Sequence, residues 1–186
     1  PQTIFLKEYS EPDYWVETID LRVELGEDQT TVESTLKLSR REGVDASAAL
    51  VLDGQEMELL SVTIDGESLS AERYTVAPES LTIRDLPAEF VLVTKVAIKP
   101  QDNTSLEGLY KASGIFCTQC EAEGFRKITY YLDRPDVMAS FSTTIVADAS
   151  KYPVMLSNGN PVEEGTLEDG RRWVKWVDPF KKPAYL

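Results

Sequence analysis

At 186 residues, 42% of them hydrophobic, the chain is long enough to bury one well-formed core and too apolar to remain disordered. Its 32 acidic and 19 basic residues leave a formal net charge of -13, which repels nucleic-acid phosphates and anionic bilayer surfaces. No run approaches the roughly 20 apolar residues that span a bilayer, and Pro1-Gln2-Thr3-Ile4-Phe5-Leu6-Lys7-Glu8 has neither the basic start nor the apolar centre of a leader. The expectation is a soluble, cytoplasmic chain with no nucleic-acid and no membrane partner.

Period-2 alternation governs the first half. Ile19, Leu21, Val23 and Leu25 alternate with Asp20, Arg22 and Glu24, and Val32, Ser34, Leu36 and Leu38 alternate with Glu33, Thr35 and Lys37. That spacing predicts two half-buried strands. Gly26-Glu27-Asp28-Gln29 joins them as an antiparallel hairpin. Short strands follow at Leu50 to Leu52, Leu59 to Ile64, Tyr74 to Val76, Leu81 to Ile83 and Phe90 to Ile98, with Asp53-Gly54 and Asp65-Gly66 as turns of positive φ. Turn signals about every ten residues, without intervening helices, predict an all-β fold: an antiparallel two-sheet sandwich or saddle-like domain.

Alternation breaks from Thr104 to Val137, where Gly124 to Leu132 reads as a short helix or turn and Pro135 ends regular structure. The expected irregular or helical segment is therefore 124–137. Strands resume at Phe141, Thr143, Ile145 and Ala147, then at Val154 to Leu156, and in a final hairpin from Val162 to Leu167 and Trp173 to Val177 around Glu168-Asp169-Gly170. Lys182-Pro183-Ala184-Tyr185-Leu186 reads as the start of a further strand. Asn103-Thr104-Ser105 matches a glycosylation acceptor and is read as a chance match.

The irregular segment carries the candidate chemistry. Cys117 and Cys120 form a C-x-x-C, but the flanks are strand and loop rather than a helix start, and no histidine or third cysteine completes a zinc site. Reduced structural thiols are the reading. Asp133-Arg134-Pro135-Asp136 offers two carboxylates, yet an arginine between acids more often makes local ion pairs or turn bonds. Trp173 and Trp176 suit packing better than a ligand platform. With no histidine, Ser/His/Asp and Cys/His triads are excluded.

The run Cys117-Thr118-Gln119-Cys120-Glu121-Ala122-Glu123-Gly124-Phe125-Arg126, with Tyr130-Tyr131-Leu132-Asp133-Arg134-Pro135-Asp136-Val137, resembles the N-terminal domain of the aminopeptidase N type of M1 zinc metallopeptidases. Tyr9-Ser10-Glu11-Pro12-Asp13-Tyr14, Ser157-Asn158-Gly159-Asn160 and Trp173-Val174-Lys175-Trp176-Val177-Asp178-Pro179-Phe180 resemble the same family in the same order. The resemblance covers essentially the whole chain. It implies that residues 1–186 are one N-terminal β domain, ending before the catalytic domain. The family's His-Glu-x-x-His helix and Gly-x-Met-Glu-Asn loop are both missing from the sequence.

The resemblance places the anchor of a substrate α-amine on Glu121, with the Gln119 amide beside it. A carboxylate suits an α-ammonium because the charge-assisted bond is both attractive and directional. At about 4 Å and an effective dielectric near 20 it is worth roughly 4 kcal/mol before desolvation. The implied partners are peptide substrates with a free N-terminus and the missing catalytic domain of the same chain. No cofactor is expected in this chain, and zinc is expected in the parent enzyme. The isolated chain should then be inactive. The alternative is an M1-like β-sandwich interaction or scaffold module, and reading the gene past Leu186 for His-Glu-x-x-His separates the two.

Overall fold

The computed structural model describes residues 5–186, so Pro1 to Ile4, part of the segment read for a leader, lie outside the described residues. The strands are β1 (Tyr14–Glu24), β2 (Thr30–Arg40), β3 (Leu50–Asp53), β4 (Glu58–Ile64), β5 (Glu67–Ser68), β6 (Tyr74–Ala77), β7 (Ser80–Ile83), β8 (Glu89–Ile98), β9 (Gly108–Ala112), β10 (Ile115–Gln119), β11 (Met138–Ala147), β12 (Asn160–Thr166) and β13 (Arg172–Pro183). An eight-stranded sheet runs in the order β12-β13-β11-β1-β2-β8-β4-β5, a three-stranded sheet in the order β3-β7-β6, and β9 with β10 form a separate ribbon. Among the described residues the helical elements are two single 3₁₀ turns, Leu6–Glu8 and Phe125–Lys127. None is long and apolar enough to cross a membrane.

The alternating residues make the core. Ile19, Leu21 and Val23 of β1 and Val32, Leu36 and Leu38 of β2 are buried with Leu50 and Leu52 of β3 and Leu81 and Ile83 of β7 in one cluster, so the small sheet closes the dry face of the large one. Tyr14 and Val16 are buried as well, although they are out of phase with Ile19. A bulge explains it: pairing with β2 shifts register between Val16 and Thr18, and the extra residue returns the buried parity to Ile19.

Among the described residues every strand pairing is antiparallel except one. β1 and β11 run parallel, from Thr18 opposite Ser140 to Glu24 opposite Val146. The sheets are thus mainly antiparallel, as expected, and the crossover joining the one parallel pair is built from β2 to β10 rather than from a helix. β11 buries residues of both parities: Phe141 and Ala147, and also Thr144 and Val146, whereas Thr143 and Ile145 are only partly covered.

Other local expectations change for physical reasons. Asp65-Gly66 is the expected turn, with φ of 50° and 85°. Gly54 has no positive φ; its role is close approach, since a Cβ there would sit 2.3 Å from Tyr130 Cδ1 and Cε1. Val154 to Leu156 is not a strand: Met155 is buried between exposed neighbours but has no ladder partner. Beyond Pro183 the chain turns at Ala184-Tyr185 instead of starting a strand. The 104–137 stretch holds an unforeseen hairpin, β9 to β10, turning at Ser113 (φ 51°) and Gly114 (φ 83°). Two left-handed residues in a row give the turn type that matches strand twist.

A buried ion cluster ties this stretch to the small sheet. Asp133 Oδ2 accepts from the Arg126 backbone N–H at 3.1 Å and from Arg126 Nε at 3.0 Å, and Arg126 Nη2 donates to the Asp133 carbonyl at 3.0 Å. Asp53, at the end of β3, receives the Asp133 N–H at 3.1 Å, lies 3.8 Å from Arg126 Nη1, and exchanges both backbone bonds with Tyr131. Burial pushes the Asp53 carboxyl above its ordinary pKa, opposed by Arg126. Phe125 stacks edge-on against Tyr131 and Phe141 beside it.

Three outcomes are expected from urea unfolding of the purified chain. Gly54→Ala forces a methyl into the Tyr130 ring and should lower stability by about 1–3 kcal/mol. Asp133→Asn removes one charge of a pair whose side chains are 3% and 15% exposed, and should cost about 3–5 kcal/mol. Glu17→Gln, which breaks the solvent-exposed pair with Lys37, should leave the midpoint nearly unchanged. Equal effects from the two charge changes would contradict the weight given to burial.

Candidate functional site

Gln119-Cys120-Glu121 lies where β10 ends and the chain turns toward the Phe125–Lys127 helix. Two glycines create that junction. A Cβ on Gly124 would be 2.6 Å from the Gln119 carbonyl oxygen and 2.9 Å from the Gly108 nitrogen, and one on Gly108 would be 2.7 Å from Lys127 Cβ. Backbone therefore meets backbone, and Gly124 N–H closes the turn on Cys120 O at 2.9 Å. The Glu121-Ala122 peptide is cis.

Gln119 clasps the backbone of Glu121. Its Oε1 accepts from Glu121 N–H at 3.1 Å and its Nε2 donates to Glu121 O at 3.3 Å. The amide expected to face a substrate is thus first used internally, with one Nε2 hydrogen remaining. Both side chains are exposed. Among the described residues Glu121 has no ion-pair partner, whereas Glu123 lies 3.5 Å from Arg126 Nη2. The two nearby acids are therefore distinguished by structure: one is committed to a cation and the other is open.

The neighbouring candidates resolve into framework. Both thiols are free, and burial pushes the Cys120 thiol up to about 12, with Asp133 adding to the shift. A thiol so held is a poor nucleophile at neutral pH. Asp133 and Asp136 do not face each other as an acid-base pair. Asp133 binds Arg126, and Arg134 chelates Asp136 through Nε at 2.9 Å and Nη2 at 2.7 Å while bonding Ser10 O at 2.7 Å. Tyr9 OH also donates to Asp136 at 3.0 Å, so the Tyr9 to Tyr14 segment is tied to this corner. The Asn103 amide is likewise occupied, donating to Glu107 O and Leu109 O.

A groove of about 640 Å³ runs between the ribbon and the large sheet, lined by Phe116, Gln119 and Cys120 on one side and Leu21, Val23 and Phe141 on the other. Asn158, from the Ser157 to Asn160 turn, lines it too and donates to the carbonyl of Leu186 at 2.7 Å. Trp173 and Trp176 are strand residues of β13, both partly buried. Among the described residues no three His, Cys, Asp or Glu side chains come together as a metal site. The Gln119 clasp and the Arg126–Asp133 pair escaped the sequence reading, since neither has a local pattern that announces it.

Residues 11–186 match the Peptidase M1 N-terminal domain. Aminopeptidase N of Escherichia coli (strain K12) is 48% identical over 186 residues, covering 100% of this chain and 21% of that protein. A Legionella pneumophila aminopeptidase A, solved in complex with aspartic acid, superposes with a TM-score of 0.91 at 35% identity, over 97% of this chain and 21% of that one. A mutant M1 zinc metallopeptidase of Deinococcus radiodurans, bound to a Tyr-Ser-Ala substrate, shares the fold at a TM-score of 0.78 and 18% identity, over 93% of this chain and 41% of that one. The chain spans about a fifth of the length of the curated relatives it matches. With its all-β architecture and the Gln119-Cys120-Glu121 turn in place, the chain belongs to the M1 peptidase N-terminal domain family.

Proposed function

We propose that residues 1–186 act as the single N-terminal domain of a zinc aminopeptidase, forming one wall of its substrate cleft and anchoring the α-amine of a peptide with a free N-terminus. The observation that carries this is the Glu121 carboxylate. It is exposed, without an ion-pair partner among the described residues, and set on a backbone fixed by Gln119 at 3.1 Å and 3.3 Å. An acidic group in that state is ready for an incoming ammonium, since no protein cation has to be displaced first. The complexes of related proteins with an amino acid and with a peptide are consistent with the assignment.

In this reading Gln119 has two tasks: it holds Glu121 in place and offers its remaining N–H to the first residue of the substrate. Glu123 and Arg126 are framework. Zinc, held by the remainder of the parent enzyme, would polarise the scissile carbonyl and activate water. The catalytic domain of the same chain is the main partner, and the cytoplasm is the proposed location.

The test is made in the full-length enzyme. Glu121→Gln keeps size and hydrogen-bonding reach but removes the charge, and should lower kcat/KM roughly 30-fold or more, because losing one member of a desolvated pair costs about 2–5 kcal/mol. A second acid sharing the amine would reduce that loss. Glu123→Gln should change activity little. A silent Glu121→Gln, or a more damaging Glu123→Gln, would remove the anchor from Glu121.

The isolated chain should hydrolyse no chromogenic aminoacyl substrate, with or without added zinc, because it supplies no histidine ligand. Zinc-dependent turnover that survives removal of contaminating peptidase would contradict the division of labour.

A further inference from the structure

The ribbon that delivers Gln119 and Glu121 is held at two ends and spans the groove between them. A two-stranded ribbon alone is marginal in water, so its orientation depends on what holds it. At its base are the Gly108–Gly124 contact and Lys127, which lies 3.1 Å from Glu107 and donates to Ser105 Oγ at 3.1 Å. At its tip, one residue from the Ser113-Gly114 turn, Lys111 lies opposite Phe116.

Lys111 does not point into open solvent. Its Nζ is 2.8 Å from Glu27 Oε2, in the turn between β1 and β2, and its side chain is 17% exposed. The other oxygen of Glu27 accepts from Tyr152 OH at 2.8 Å, with Lys151 at 3.6 Å. Phe116 meets Tyr152 edge to face, centroids 5.2 Å apart, and the Lys111 ammonium lies 5.0 Å from the Phe116 centroid and 5.7 Å from that of Tyr152. Lys111 N–H also bonds Pro100 O at 2.9 Å. The Lys111 bond first, and then the Tyr152 hydroxyl, hold the Glu27 carboxyl down at about 2. It therefore stays charged through the neutral range.

We infer that Glu27 and Lys111 are positioning residues for the amine anchor: their ion pair, packed on Phe116 and Tyr152, clamps the ribbon tip to the large sheet and so fixes where Gln119 and Glu121 stand at the other end. The inference rests on the role proposed for Glu121. A ribbon freed at its tip pivots about its base over the groove, and displacement of a positioning group by about 1 Å is enough to slow a reaction up to a hundredfold. Neither residue touches the substrate, so the effect must pass through Glu121.

The experiment uses the full-length enzyme with Glu27→Gln and Lys111→Met, each made in the native and in the Glu121→Gln background. In the native background each should lower kcat/KM roughly tenfold. In the Glu121→Gln background neither should lower it further, because the anchor they position is already disabled. Amide hydrogen exchange should quicken in residues 109–119 and stay unchanged in β2 and β8. Equal losses in both backgrounds, or unchanged exchange in the ribbon, would overturn the inference. A silent Glu121→Gln would instead defeat the anchor assignment and the functional part of the clamp, while exchange would still decide whether the clamp holds the ribbon.

Discussion

The pairing of Arg126 with Asp133 is the constraint on which the candidate site depends. One carboxylate satisfies both the backbone and the side chain of Arg126, and Arg126 returns a bond to the backbone of Asp133. That closed loop would be costly to bury if either charge were lost. Asp53 joins it from the end of the three-stranded sheet. A segment without regular structure is thus fixed to the core through charge and backbone bonds rather than through a long strand or helix. The Phe125, Tyr131 and Phe141 rings enclose the same region and keep its dielectric low.

From this fixed point outward the structure spends progressively fewer contacts. Glycines 108 and 124 bring the ribbon against the turn, Gln119 clasps Glu121, and the Glu121 carboxylate itself is left exposed. Rigid backbone beneath an unpaired charge is what recognition of a small cation requires, since the anchor need not be ordered when the ligand arrives. Beside Glu121 the half-buried Cys120 thiol is held protonated, and Glu123 lies 3.5 Å from Arg126 Nη2.

The strands of the core were readable wherever burial follows period 2, as in Val32, Leu36 and Leu38 of β2. The reading failed where geometry departs from that period. The bulge between Val16 and Thr18 hid the first part of β1, and the parallel pairing of β1 with β11 has no local signature because it joins residues more than a hundred positions apart. Ser113-Gly114 is a weaker turn signal than Asp65-Gly66, and Ile115, 63% exposed, breaks the apolar pattern of β10. At the site, Glu121 and Gln119 could be named only through resemblance to a family. The internal bond between them, and the different fates of Glu121 and Glu123, follow from three-dimensional placement.

The central claim, that Glu121 holds the substrate amine, is tested most directly by a crystal structure of the full-length enzyme with a bound amino acid or peptide analogue. The α-ammonium nitrogen should lie within about 3 Å of a Glu121 carboxylate oxygen, with the Gln119 bonds to the Glu121 backbone intact. A ligand seated in the cleft with its amine held by other groups, and Glu121 facing solvent, would contradict it.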